Sequence, residues 1–558
     1  MTETSDSARE GPPTEPSRAA RSTTGRSARQ VAAGILLSRI SGFVRTSVLA
    51  NYLGTSLHAS AFSAALRLPN FLQNLLGEGT LSSSFIPVYA RLLEQGDEDA
   101  AGRLAGAVFG LLLAAAGAFA LIGVSLAPVL VRLAFWNFSG ELYEVTVQCV
   151  RIIFPMTGVL VLSAWALGVL NSHRRFFIAY VAPVAWNAAI IATAVMLGGR
   201  RPLTDFVLAL SWGALLGGAL QFVFQLPFVL RLERSLVLRP RLTAPFRQVM
   251  RNAGPAVVGR GVVQLSAYID MGLASFLFAG AVAAIGYAQA LYVLPISLFG
   301  MAVAAAELPE MSRDADLRLG ALRARLEAGL SRIAFFVVPS LVGYLVLGDV
   351  IVAALYQWGR FGRADTLLVH AILGAYSIGL LASTSTRLYA SALYAMNDTR
   401  TPARIAVLRV LVAAAVGAVL MFLLERYAIA EATLAITPNT GETTLRPLGA
   451  AGLALGSGVA AWLELALLRR RVHHVVGSAG GPPSVLLRLL AAALIPAALL
   501  RLTIPLLPPL GPRMLAAATL PLFGLAYLLL GSALGVPRAG EFLRQLARRF
   551  GLTRNGQG

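Results

Sequence analysis

The sequence predicts an all-α polytopic membrane protein: about fourteen transmembrane helices in two pseudo-symmetric six-helix lobes, plus two C-terminal helices. Three observations predict it. The 558-residue chain is 57% hydrophobic and 13% charged, too apolar for a soluble protein of this size. Its apolar stretches recur at about 20 residues, the length that crosses about 30 Å of hydrocarbon. Short motifs also repeat down the chain in one register.

The elements follow in chain order. Residues 1–30, rich in Ser, Thr, Pro, Arg and Glu with no apolar run, read as a disordered cytoplasmic tail. The first apolar segment has no cleavage-site flanks and is expected to stay as an anchor. Spans are placed near 31–53, 60–90, 104–134, 144–170, 177–198 and 205–230 for an N-terminal lobe over 31–251. A C-terminal lobe over 252–480 takes 253–279, 283–307, 330–356, 365–392, 403–424 and 448–468. Helices 13 and 14, near 484–507 and 514–534, occupy 481–536, and 537–558 reads as an amphipathic cytoplasmic tail. The second span holds Arg67, Pro69, Asn70, Gln73, Asn74 and Glu78, the composition of a broken or cavity-lining helix. Residues 310–329 and 538–550 read as surface helices or as solvated charged loops.

The net charge of +20 is spread over short connections, not gathered on one hydrophilic module. Membrane orientation explains it better than nucleic acid. Arg174 with Arg175, the run from Arg231 to Arg251, and Arg469 to Arg471 all follow even-numbered spans, which puts both termini on the cytoplasmic side. There is no lysine, so the choice of arginine at any one site says little and its location must carry the argument. One cysteine, Cys149, and five scattered histidines offer neither a disulfide nor a metal-ligand spacing. No P-loop, Ser-His-Asp arrangement or paired-carboxylate motif occurs, so catalysis has little support and no cofactor is expected.

The repeat aligns "ALGVLNSHR" at 166–174 with "ALYAMNDTR" at 392–400, an offset of 226 residues, and Leu68-Pro69 with Leu294-Pro295. Six spans separate the matched pairs, so the halves enter the membrane in the same sense, the parallel-repeat plan of secondary transporters.

The first span, "LSRISGFVRTSVLANYLG", keeps two arginines in a lipid environment. At 100° per residue, Ser38, Arg39, Ser41, Gly42, Arg45 and Thr46 share an arc of about 160°. Leu36, Leu37, Ile40, Phe43 and Val44 lie opposite. An arginine at mid-bilayer costs roughly 2.5–3.5 kcal/mol, so these face a water-filled cavity better than lipid. The competing reading pairs Arg39 with Glu78 or Asp270 as a purely structural tie. Arg67 and Arg260 add to a positive excess, and guanidinium forks fit phosphate oxygens.

"LSRISGFVR" followed by "ASAFSAALRLPNFLQNLLGEGTLSSSFIPVYA" resembles the opening signature of the MurJ/MviN lipid II flippases, within the multidrug/oligosaccharidyl-lipid/polysaccharide exporter superfamily. The likeness runs through most of 31–535, with "YAQALYVLPISLFGMAVAAAELPEMSR" and "ALYAMNDTRTP" as later support. The resemblance implies a flippase that turns lipid II, or another polyprenyl-pyrophosphate-linked glycan, from the inner to the outer leaflet of the bacterial cytoplasmic membrane by alternating access. It implies cavity arginines at Arg39 and Arg45, small residues at Ser38 and Gly42, and second-helix positions at Pro69, Asn70, Glu78 and Gly79. Helices 13 and 14 would form a groove for the lipid tail. The chain departs from the family's charges at Ser60, at Gln73 and through Tyr287-Ala288-Gln289-Ala290. Arg260 is a candidate replacement for lost positive charge, and Arg67 keeps a basic position.

The expected substrate-binding set is therefore Ser38, Arg39, Gly42, Arg45, Arg67, Asn70, Gln73, Glu78 and Arg260, with Asp270 as a candidate ion-coupling residue for a monovalent ion. Expected partners are the lipid-linked substrate and membrane lipids, with a monomeric chain and no nucleic acid. A drug or metabolite antiporter of the same superfamily is the alternative transporter, and it would have a smaller cavity richer in aromatics and acids. A non-transporting scaffold is the third reading.

Overall fold

The computed structural model describes residues 18–233, 243–301, 303–304, 307, 311, 319–430, 435–442, 445–477, 480 and 483–549. The chain opens with α1 (Arg18–Leu53), α2 (Leu57–Leu76), α3 (Glu78–Ser84), α4 (Ile86–Glu94), α5 (Glu98–Ser125) and α6 (Ala127–Ala134). Then come α7 (Gly140–Ser172), α8 (Phe176–Val181), α9 (Pro183–Leu197) and α10 (Leu203–Leu232). The second half has α11 (Ala244–Ala274), α12 (Ala281–Pro295) running into a π-helical segment (Ile296–Met301), α13 (Leu319–Val346), α14 (Gly348–Tyr356), α15 (Arg363–Ile378), α16 (Leu380–Ala395) and α17 (Arg400–Leu424). A three-stranded antiparallel sheet in the order β2-β1-β3, made of β1 (Tyr427–Ala430), β2 (Ile436–Pro438) and β3 (Leu445–Pro447), precedes α18 (Gly449–Val476). The chain closes with α19 (Pro483–Thr503), α20 (Pro512–Ala533) and α21 (Pro537–Arg549).

Among the described residues, twelve helical stretches are long and apolar enough to cross a membrane. The two other predicted spans coincide with α2–α4 and α11. The predicted break in the second span falls at Gly77 and Phe85, with Pro69 inside α2 and Pro87 in the first turn of α4. A proline in a helix interior removes a backbone bond, and Pro87 is tolerated because the first turn lacks an intrahelical acceptor for its missing N–H. Prolines mark two further breaks: Pro128 opens α6 and Pro183 opens α9.

One difference from the sequence reading follows from local propensity. α1 begins at Arg18, so residues 18–30 are helical rather than a disordered tail. Their Ala, Arg and Gln are good helix formers, and the helix simply extends out of the apolar segment. Residues 1–17, and residues 310 and 312–318 of the first proposed surface helix, lie outside the described residues. The second proposed surface helix is α21, which lays Ala539 against the end of the bundle and packs on α20.

Within the first half, α7 packs on α2, α5 and α10, and α9 on α1 and α10. Within the second, α18 packs on α15, α16 and α17. The repeat is visible in backbone detail. Among the described residues, Arg174 and Asn397 are the non-glycine residues with positive φ, both at 59°. Each closes a helix through matched bonds, Arg175 N to Leu170 O and Asp398 N to Leu393 O, the Schellman pattern. These equivalents lie 223 residues apart, three fewer than the motif offset. The α19–α20 pair stands outside the duplication and packs on α13 and α14, with the Tyr527 hydroxyl donating to Phe335 O at 2.7 Å.

The sheet fills the connection between α17 and α18. Glu425, just beyond α17, has one carboxylate oxygen buried without a hydrogen-bond partner. Burial pushes its carboxyl from 4.5 up to about 7, with the Gly449 and Phe278 amides partly offsetting this. Between these two values the folded carboxyl holds a proton that the unfolded one has lost, so this group makes stability fall as pH rises through that window and level off above it. Thermal unfolding of the purified protein in detergent is expected to show a midpoint that drops from pH 5 to pH 8. Glu425→Gln should flatten that drop, and an unchanged slope in the variant would refute the assignment.

Candidate functional site

The polar residues of the first span sort as the helical arc predicts. Leu36, Leu37, Ile40 and Val44 are exposed on one side, while Ser41 and Arg45 turn toward α9. Arg45 Nη1 donates to Asn187 Oδ1 at 3.0 Å, and its guanidinium stacks 4.6 Å from the Trp186 ring centroid. Asn187 Nδ2 donates to Ser41 Oγ at 2.8 Å, and Ser41 Oγ donates to Ser38 O at 2.9 Å. Arg45 Nε is buried with no partner. A cation held by one neutral amide and an aromatic face keeps its charge uncompensated and a donor free. Arg39 stands exposed on the same helix, with no ion pair among the described residues. Gly42 is roomier than the site needs, since an added Cβ would meet Asn187 Nδ2 at 3.8 Å, ordinary contact.

A second polar nest forms where α2 meets α12 and α15. Arg67 Nη2 donates to Gln289 Oε1 at 3.2 Å, and Gln289 Nε2 donates to the Tyr376 hydroxyl at 3.1 Å. Gly286 leaves space beside that guanidinium. Asp270, the candidate coupling residue, is partly buried on α11. Arg409 faces Glu464 at 3.0 Å. Asn70 and Gln73 are half-buried one and two turns further along α2. The side chains of Glu78 and Arg260 lie outside the described residues.

Sequence reading missed Trp186, Asn187, Tyr376, Arg409 and Glu464. The charges among them carried a usable signal, because an ionisable residue inside an apolar span is a functional candidate by default. Trp186 and Asn187 carried none, since nothing in one sequence pairs α9 with α1. Gln289 counted as a lost family charge, yet it bridges Arg67 and Tyr376.

One end of the bundle is sealed between the halves. Arg360 N donates to Asn51 O at 2.8 Å, Trp358 Nε1 to Ser47 O at 3.2 Å, and the Tyr287 hydroxyl to Gly54 O at 3.0 Å. Ala283 N donates to Ser60 Oγ at 3.2 Å, so the uncharged residue at 60 is itself part of the seal. Asp365, 3% exposed, accepts from Thr55 Oγ1 at 2.5 Å, from Arg446 Nε at 2.8 Å and from Gly362 N at 3.0 Å. It joins the α1–α2 turn, the sheet and the start of α15. Gly54 and Gly359 sit at positive φ, where a Cβ would strike Arg360 O and Asn51 respectively, so glycine permits this approach. At the opposite end, described hydrogen bonds stay within one half: Tyr89 with His173 and Glu233, and Arg471 with Asp398.

These features define a polytopic helical membrane protein on the parallel-repeat, two-lobed plan of secondary transporters. Comparison with known proteins narrows the class. Residues 49–438 match the family model described as lipid II flippase MurJ. A probable lipid II flippase MurJ of Rhizobium tropici is 31% identical over 458 residues, covering 80% of this chain and 81% of the relative. A lipid II flippase MurJ of Burkholderia cenocepacia is 30% identical over 443 residues, covering 78% and 80%. The chain belongs to the MurJ family. Its fold is also that of a solved lipid II flippase MurJ in an inward closed conformation, with a TM-score of 0.71 and 22% identity, covering 92% of this chain and 99% of that one. An inward-facing multidrug resistance MATE family transporter of the MOP superfamily has a similar fold, with a TM-score of 0.61 and 15% identity over 78% of this chain.

Proposed function

We propose that this protein flips lipid II from the inner to the outer leaflet of the bacterial cytoplasmic membrane, without chemical change to the substrate. The observation that carries the reading is Arg45: a guanidinium inside the membrane, uncompensated by any carboxylate it touches, with a free Nε donor. A pyrophosphate supplies the oxygen acceptors and negative charge that such a group lacks, in the fork geometry arginine favours. Family membership supplies the substrate class.

In this reading a central cavity between the lobes opens at one membrane face at a time. Arg39, exposed on the same face of α1, meets the headgroup first, and Arg45 and Arg67 hold its phosphates, with Ser38, Asn70 and Gln73 lining the path. Glu78 and Arg260 belong to the same proposed set. The sealed end, with Asp365 at its centre, is the proposed outer gate, with both termini on the cytoplasmic side. Asp270 on α11 is the proposed site where a monovalent cation couples to the cycle. Helices α19 and α20 take the polyprenyl tail.

The test is growth rescue in bacteria depleted of their own lipid II flippase. Wild type is expected to rescue and Arg39→Ala to rescue poorly, with equal amounts of both proteins in the membrane. Failure of the wild type to rescue lipid II-dependent growth would point to another polyprenyl-linked glycan, and full rescue by the Arg39→Ala variant would remove Arg39 from the site.

A further inference from the structure

A separate charged cluster lies at the tip of the C-terminal helix pair. Asp349, 2% exposed at the start of α14, accepts from Arg501 Nη1 through both oxygens, at 3.0 and 2.9 Å, and from Arg363 Nη2 at 3.1 Å. One carboxylate thus faces two guanidinium groups, leaving one positive charge over. Both arginine side chains stay partly open, 46% and 41% exposed, so donors remain beyond those Asp349 uses. They border a cavity of about 500 Å³ whose other walls include Gln357, Ile504, Leu510 and Leu515. Around it the tip is apolar and outward-facing: Leu502 is 71% and Leu506 83% exposed. A chain that spans a membrane turns such residues into the lipid or its interface.

We infer that this cavity holds the phosphate of a membrane lipid, with Arg363 and Arg501 on the headgroup and the acyl chains against the apolar tip at Leu502 and Leu506. Its two halves match an amphiphile: surplus cationic donors on one wall and apolar surface continuous with lipid-facing leucines on the other. Asp349 holds the two guanidinium groups side by side and keeps the pair from requiring two anions. Free phosphate would satisfy the arginines but leave the apolar wall empty, so the lipid-borne phosphate is the better fit. The site is distinct from the Arg45 and Arg67 nests, and the inference does not depend on what the protein transports.

The test uses the delipidated full chain in detergent, titrated with phosphatidylglycerol and with diacylglycerol of the same chains, and read by native mass spectrometry. Phosphatidylglycerol is expected to bind about tenfold more tightly than diacylglycerol, the effect of charge-assisted hydrogen bonds. Replacing the cluster together (Asp349→Asn, Arg363→Gln, Arg501→Gln) avoids stranding the buried carboxylate and should bring the two lipids level. Leu510→Glu, a loop substitution beside the cavity, provides a variant that leaves the cluster intact. It should weaken phosphatidylglycerol several-fold and spare diacylglycerol. Equal binding of both lipids by wild type, unchanged preference in both variants, or displacement of phosphatidylglycerol by inorganic phosphate alone would overturn the inference.

Discussion

Arg45→Ala is expected to lose growth rescue altogether while the protein still reaches the membrane in normal amounts. The substitution removes the guanidinium that stacks on Trp186 and whose buried Nε has no hydrogen-bond partner. Hydrogen bonds to charged groups contribute about 1.5–3 kcal/mol each, so loss of a bidentate hold on pyrophosphate weakens binding by about 10² or more. Arg45→Lys separates charge from geometry. A lysine restores the point charge but neither the planar stack nor the fork, so rescue should be partial. A purely structural arginine gives a different pattern. Asn187 Oδ1 would lose its arginine donor in either variant, and both would fall together in thermal stability, with affinity for a pyrophosphate-bearing lipid analogue unchanged in the surviving protein. Affinity and unfolding measured side by side on the two variants distinguish these outcomes.

Asp365→Ala should release the sealed end. Breaking a buried charge pair costs about 3–5 kcal/mol, but only part of that acts between the halves, because Arg446 and Gly362 sit on the same side of the seam as Asp365. The Thr55 hydroxyl bond is the crossing contact. Thr55→Ala isolates it and is expected to shift the balance toward the open end by about 1.5–3 kcal/mol, roughly 10- to 150-fold. Spin labels introduced through Arg200→Cys and Arg360→Cys, exposed positions on opposite halves with the Arg360 backbone bond retained, would report a longer distance population in both variants. Cys149 is buried and need not be removed. Identical distance distributions in wild type and Thr55→Ala would show that the seal does not depend on this contact.

Both predictions depend on information of two kinds. Membrane helices are legible in one sequence because lipid dictates them locally: a span must satisfy its own backbone and face hydrocarbon. The polar arc of α1 was readable for the same reason, since 100° per residue fixes which of its residues share a face. Even the broken second span showed itself in Pro69 and the cluster of polar side chains around it. The repeat was legible as well, although the motif offset missed the backbone register by three residues at the caps of α7 and α16. Identical letters align where side chains are alike, whereas helix caps align where the chain turns.

Neighbours across the bundle were not legible. That Arg45 rests on Trp186 and Asn187, that Arg67 answers to Gln289 and Tyr376, and that Asp365 draws together a turn and a strand all join positions more than 80 residues apart. The extension of α1 back to Arg18 and the small sheet after α17 were also missed, because composition reports what a segment avoids burying and not what it pairs with. By itself, then, the sequence determined the spans, the polar face of the first helix and the family signature, all set by local lipid and helix geometry. Only the tertiary structure decided which arginine keeps a free donor, where the halves are sealed and where a surplus charge gathers at the C-terminal tip, because each depends on distant side chains sharing one small volume.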